Sequence, residues 1–129
     1  MKLLTVTALL ALAAGPALAE WTSLGDVGNA ELFVDRGAIV RKGEIATMWS
    51  VSELKVAATA NGASYVSLKR QDEFDCAGSR SRGLQISAYP SPMGEGKAVA
   101  TEKGSGAWQP VAPQSVNEVL WKIACGKEG

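Results

Sequence analysis

The stretch Glu44-Ile45-Ala46-Thr47-Met48-Trp49-Ser50-Val51-Ser52-Glu53-Leu54 alternates with a period of two. Side chains on an extended strand point to opposite faces in turn. Ile45, Thr47, Trp49 and Val51 therefore share one face, and Glu44, Ala46, Ser50 and Ser52 share the other. The first set is the more apolar and is the expected core face, with Trp49 in the core. This strand sets the class of the domain, because its neighbours on both sides repeat the pattern.

Upstream, Trp21 to Val27 starts a strand that Gly28-Asn29 closes. In Glu31 to Asp35, Leu32 and Val34 point one way, and Glu31, Phe33 and Asp35 the other. Gly37 and Gly43 bracket Ala38 to Lys42, and Lys42-Gly43 is a tight turn. Downstream, Asn61-Gly62 marks another turn, and Ala63 to Phe74 reads as a long strand. Leu84 to Tyr89 follows until Pro90 and Pro92 stop it, and Lys97 to Glu102 is the last strand.

The period then changes. Val116, Val119, Leu120 and Ile123 follow the i, i+3, i+4, i+7 spacing of one helix face. Ser115 and Glu118 form a capping box, Pro113 suits the entry turn, and Gly126 suits the C-terminal cap. Trp121 falls off the apolar stripe and is expected to be partly exposed. A lone amphipathic helix needs something to cover. The expected fold is α+β: an antiparallel sheet of about five or six short strands with a C-terminal helix packed on it.

The first residues carry an address. Met1-Lys2 supplies one charge, Leu3 to Ala14 is uncharged, Gly15-Pro16 breaks the run, and Ala17-Leu18-Ala19 is a small-x-small site. That order describes a secretory signal peptide over 1–19, cut between Ala19 and Glu20. The apolar run is shorter than the roughly 20 residues a bilayer-spanning helix needs. No cysteine follows it to take a lipid anchor. Residues 20–129 then form one domain, periplasmic or secreted. Cys76 and Cys125 are the two cysteines of the chain. In an exported chain such a pair reads as a disulfide, stabilising the domain by roughly 4 kcal/mol through the loop it closes.

Charge and composition argue against several functions. The chain carries 13 Lys+Arg against 13 Asp+Glu and no histidine. A near-neutral chain lacks the electrostatic footprint of a nucleic-acid binder. Without histidine there is no Ser-His-Asp or Cys-His catalysis, and the commonest transition-metal ligand is missing. Ser67 and Lys69 share a strand face and read as two solvated residues rather than a catalytic pair. Asp72-Glu73-Phe74-Asp75 lacks the glycine-punctuated loop of a calcium site and reads as a charged strand end. Gly94-Glu95-Gly96-Lys97 lacks the spacing of a phosphate loop, has Ala98 where Ser or Thr is required, and reads as a hairpin turn. No enzyme activity and no cofactor are expected. The basic clusters Lys69-Arg70 and Arg80-Ser81-Arg82, together with Trp121, are the candidate partner-binding residues.

The chain resembles the surface-adhesin protein E family. The residues that carry the likeness are Trp21, Phe33-Val34-Asp35, Ile39, Arg41, Trp49, Ser67 and Lys69, then Glu73-Phe74-Asp75-Cys76. They continue through Tyr89, Met93-Gly94, Gly96, Trp108, Val111, Pro113, Ser115 and Cys125. The resemblance implies a sheet packed with helix, a Cys76–Cys125 bond, and a protein partner, either a host matrix or plasma protein or a protein of the envelope. The expectation is a non-catalytic exported binding module; the alternative is a periplasmic inhibitor or accessory subunit of another envelope protein.

Overall fold

The computed structural model describes residues 19–128. The signal peptide read over 1–19 lies outside them except for Ala19. The strands are β1 (Trp21–Val27), β2 (Ala30–Asp35), β3 (Val40–Lys42), β4 (Ile45–Ala60), β5 (Ala63–Asp75), β6 (Arg80–Tyr89), β7 (Ala100–Lys103) and β8 (Gln109–Pro110). They form one antiparallel sheet in the order β1-β2-β4-β5-β6-β7, with β3 added to β4 and β8 to β6. Eight strands replace the expected five or six. The two additions are three and two residues long, too short for an alternating pattern to show in sequence.

One helix, α1 (Val116–Ala124), closes the chain. Ser115 Oγ accepts the Glu118 amide at 3.1 Å, as a capping serine should. The Glu118 carboxylate reaches the Gln114 amide, at 3.5 Å, rather than that of Ser115. Leu120, Ile123 and Ala124 are buried, whereas Val116 and Val119 are 40% and 48% exposed. The stripe thus reaches the sheet only over its C-terminal half.

The core lies between α1 and one face of the sheet. Leu32, Val34, Ala46, Met48, Phe74, Cys76, Leu120, Ile123, Ala124 and Cys125 form it. Leu32 and Val34 face inward as their alternation predicts. On β4 the faces are largely reversed: Ala46, Met48 and Ser50 are buried beneath the helix side, and of the expected core face Val51 is fully buried while Ile45, Thr47 and Trp49 are only half-buried. Ala46 can be small there because Phe74, directly opposite, fills the space. It stands opposite Ala46 on one side and Ser81 on the other.

Cys76 and Cys125 are bonded across a separation of 49 residues. The bond ties the end of α1 to the turn after β5. Basic groups collect at the same end of the helix, where carbonyls lack intrahelical partners. Arg41 Nη1 donates to Cys125 O at 3.4 Å, and Lys127 Nζ to Cys76 O at 3.0 Å.

β4 and β5 outrun the sheet. Beyond Lys55, whose amide bonds Asn29 O, and beyond Ser67, paired with Tyr89, the two strands pair only with each other. The resulting arm turns at Asn61-Gly62, both left-handed at φ 52° and 74°. Such a pair supplies the two positive φ angles a tight hairpin needs. Val56, near its base, is 72% exposed.

Candidate functional site

The sheet face opposite α1 carries the cations and most of the indole rings. By strand parity, Trp49, Lys69, Glu73, Arg80 and Arg82 all project there. Lys69 Nζ lies 5.1 Å from the centre of the Trp49 ring and 5.9 Å from that of Trp21, within cation–π range. Trp108, just before β8, lies 4.4 Å from the Arg82 guanidinium and 5.1 Å from that of Arg80. Three of the four tryptophans of the chain therefore hold cations on one face.

The charges of the two groups differ. Arg82 pairs with Glu73 at 3.3 Å and Arg80 with Asp75 at 2.7 Å. No carboxylate oxygen lies within 4 Å of Lys69 Nζ among the described residues. Arg82 Nε is buried and has no hydrogen-bond partner. Beside these groups is an open hollow of about 470 Å³ lined by Val40, Lys42, Ile45, Thr47, Gln71 and Glu73.

The chain after β6 folds back over one end of this face. Ser67 Oγ donates to Ser91 O at 2.7 Å and accepts the Gly94 amide at 2.9 Å. The Met93 amide donates to Glu53. Ser67 is fully buried by this loop, which corrects its expected place as a solvated partner of Lys69. Gly94, at φ 66°, presses on the Lys69 stem, and a Cβ there would meet Lys69 Cδ at 3.1 Å. The loop thus aims the lysine toward the two rings. The connection from β6 to β7 is a hairpin link, but a long one that contains a 3-10 turn at Pro92–Gly94 rather than a tight turn.

The acidic run is spent on pairing. Asp72 accepts Arg70 Nε and Nη2, both at 2.9 Å. Asp75 accepts Arg80 Nη2 at 2.7 Å and the amides of Gly78 and Ala77 at 2.9 and 3.1 Å. The Arg80 guanidinium, then the Gly78 amide, hold the Asp75 carboxyl below its usual value of 3.8. Stability from this ionised group is complete above that value and is lost as pH falls through the lower native value. We expect Asp75→Asn to lower the urea midpoint at pH 7, with the gap to wild type closing below about pH 4. A gap that persists unchanged at pH 2 would show that ionisation of Asp75 is not its source.

Of the candidate partner-binding residues, the structure gathers Lys69, Arg80 and Arg82. Arg70 and Trp121 lie elsewhere. Arg70 is on the helix side, bound to Asp72. Trp121 is half-buried against the core, its indole donating to Asp75 O at 2.9 Å with Lys127 Nζ 4.7 Å from the ring centre. Sequence reasoning alone does not single out Trp21, Trp49 or Trp108 as binding residues. The signal for them was indirect: Arg80 and Arg82 stand two apart on one strand, so they share a face, whereas adjacent Lys69 and Arg70 cannot.

The model of the family described as surface-adhesin protein E matches residues 21–126. The chain belongs to the surface-adhesin protein E family. Solved structures agree with this domain in fold. Protein E of Haemophilus influenzae superposes with a TM-score of 0.69 at 16% identity, covering 85% of this chain and 86% of that one. Protein E from non-typeable Haemophilus influenzae gives 0.67 at 17% identity, covering 89% and 82%. Comparison with curated protein sequences gives no match. Among the described residues no helix is long and apolar enough to cross a membrane.

Proposed function

We propose that this protein is a non-catalytic, exported binding module of the bacterial cell envelope. In this reading residues 1–19 are removed as a signal peptide and residues 20–129 form the mature domain. The helix-free sheet face engages a protein partner, either a host matrix or plasma protein or another envelope protein. The observation that carries this reading is the set of three tryptophans, Trp21, Trp49 and Trp108, stacked on cations outside the core. Tryptophan and arginine are enriched in binding hot spots, tryptophan for its large rigid ring and arginine for its planar fork of donors. Rings kept ordered by Lys69, Arg80 and Arg82 need little further ordering on association.

The test immobilises the mature protein and offers purified matrix proteins, plasma proteins and periplasmic extract. A partner that uses this face loses about thirtyfold in affinity with Trp108→Ala, the cost of one hot-spot residue. Arg70→Gln, on the other side, leaves binding unchanged. Binding lost with Arg70→Gln but kept with Trp108→Ala would place the contact on the helix side and overturn the proposed surface. A single stoichiometric partner from periplasmic extract alone would make the protein an accessory subunit or inhibitor rather than an adhesin.

A further inference from the structure

We propose that Lys69 receives a carboxylate of an extended acidic peptide, and that the peptide's apolar side chain two residues along enters the hollow beside Val40 and Ile45. This rests on the helix-free face being the binding surface. Lys69 is the cation of the two indole clusters without a carboxylate, since Glu73 and Asp75 already neutralise Arg82 and Arg80. A complementary ligand therefore brings its negative charge to Lys69.

Spacing fixes the rest. Lys69 Nζ lies over Trp49, which pairs with Gln71, and the hollow is centred one pair further along, where Thr47 stands between Val40 and Glu73. One strand repeat is about 7 Å, the distance between residues i and i+2 of an extended peptide. The hollow is lined by both Lys42 and Glu73, the latter paired with Arg82, so the apolar surface offered there by exposed Val40 and half-buried Ile45 sets the preference for an apolar side chain. The sequence that fits is acidic-x-apolar. An anionic sugar fits less well. Pyranose rings stack on free indole faces, and the faces of Trp21 and Trp49 toward the site are taken by the Lys69 ammonium.

The test titrates the mature domain with the blocked peptide Gly-Ser-Asp-Ser-Val-Ser-Gly, followed by the ¹⁵N indole resonances of Trp21 and Trp49. Both should shift saturably. Replacing the peptide's Asp by Asn should weaken binding about tenfold or more, the worth of a charged hydrogen bond. Lys69→Gln should cost the Asp peptide the same factor and the Asn peptide nothing, and Lys69→Arg should retain most of the binding. Near-UV circular dichroism confirms that each variant is folded. Equal affinity for the Asp and Asn peptides overturns the proposal, as does a response to a sulfated oligosaccharide without one to the peptide. If the peptide fails while partner capture still depends on Trp108, the carboxylate subsite falls and the surface stands. If capture ignores Trp108 as well, the surface itself falls.

Discussion

Cys125→Ser is expected to lower stability by about 4 kcal/mol, because the bond to Cys76 closes a loop spanning 49 residues. The cross-link restricts the unfolded chain, and its loss returns that freedom. At about 4–8 °C per kcal/mol for a domain near this size, melting should fall by 15–30 °C. Both sulfurs lie in the core, at 2% and 6% residue exposure, so the variant also leaves a buried thiol facing a hydroxyl. Thermal melts of wild type and variant, each with and without reductant, check this. Wild type should drop with reductant and the variant should not. Equal melting of wild type in both conditions would remove the disulfide from the account of stability.

Phe74→Ala is expected to cost about 3–5 kcal/mol, the range for deleting a buried phenyl ring. The side chain is fully buried near the C-terminal end of β5. Its cross-strand neighbours are Ala46 and Ser81, too small to close over the gap. Above it the helix presents Leu120 and Ile123, and the helix end is fixed by the disulfide, so the core has little room to collapse. Urea unfolding should show a lower midpoint with an unchanged slope. A loss below about 1 kcal/mol would mean that α1 settles into the space and that the core is softer than its packing indicates.

The class of fold was readable because each local device acts on its own residues. Glycine turns, two-residue alternation and the Ser115 cap need no distant partner. The reversed face of β4 shows where such reasoning stops. Ile45, Thr47, Trp49 and Val51 are more apolar than Ala46, Met48 and Ser50, and a one-sided sheet would bury them. This sheet packs on both sides: α1 covers one, while rings and a returning loop occupy the other. A residue as small as Ala46 sits under the helix because Phe74, on the next strand, takes the volume. That is a statement about pairing, which alternation along a single strand does not contain. The candidate site failed and succeeded for the same reason. Arg80 and Arg82 stay together because they are two apart on β6. Trp108 joins them only through β8, a two-residue strand without periodicity. The burial of Ser67 likewise depends on residues 91–94, far along the chain.

The arm formed by the far ends of β4 and β5 gives the domain two clocks. A lone two-stranded hairpin is marginally stable in water. The arm is held by its own ladder and by no third strand, and it lies away from the disulfide and from α1. It can therefore open while the remainder stays folded, so its amides exchange with solvent through a local event of small free energy. The amides of β5 near Phe74, flanked by strands on both sides and sealed by the helix, exchange only when the whole domain unfolds. One pair of strands, its register broken between Glu53 and Ala58, thus runs from the most persistent part of the molecule to the most transient.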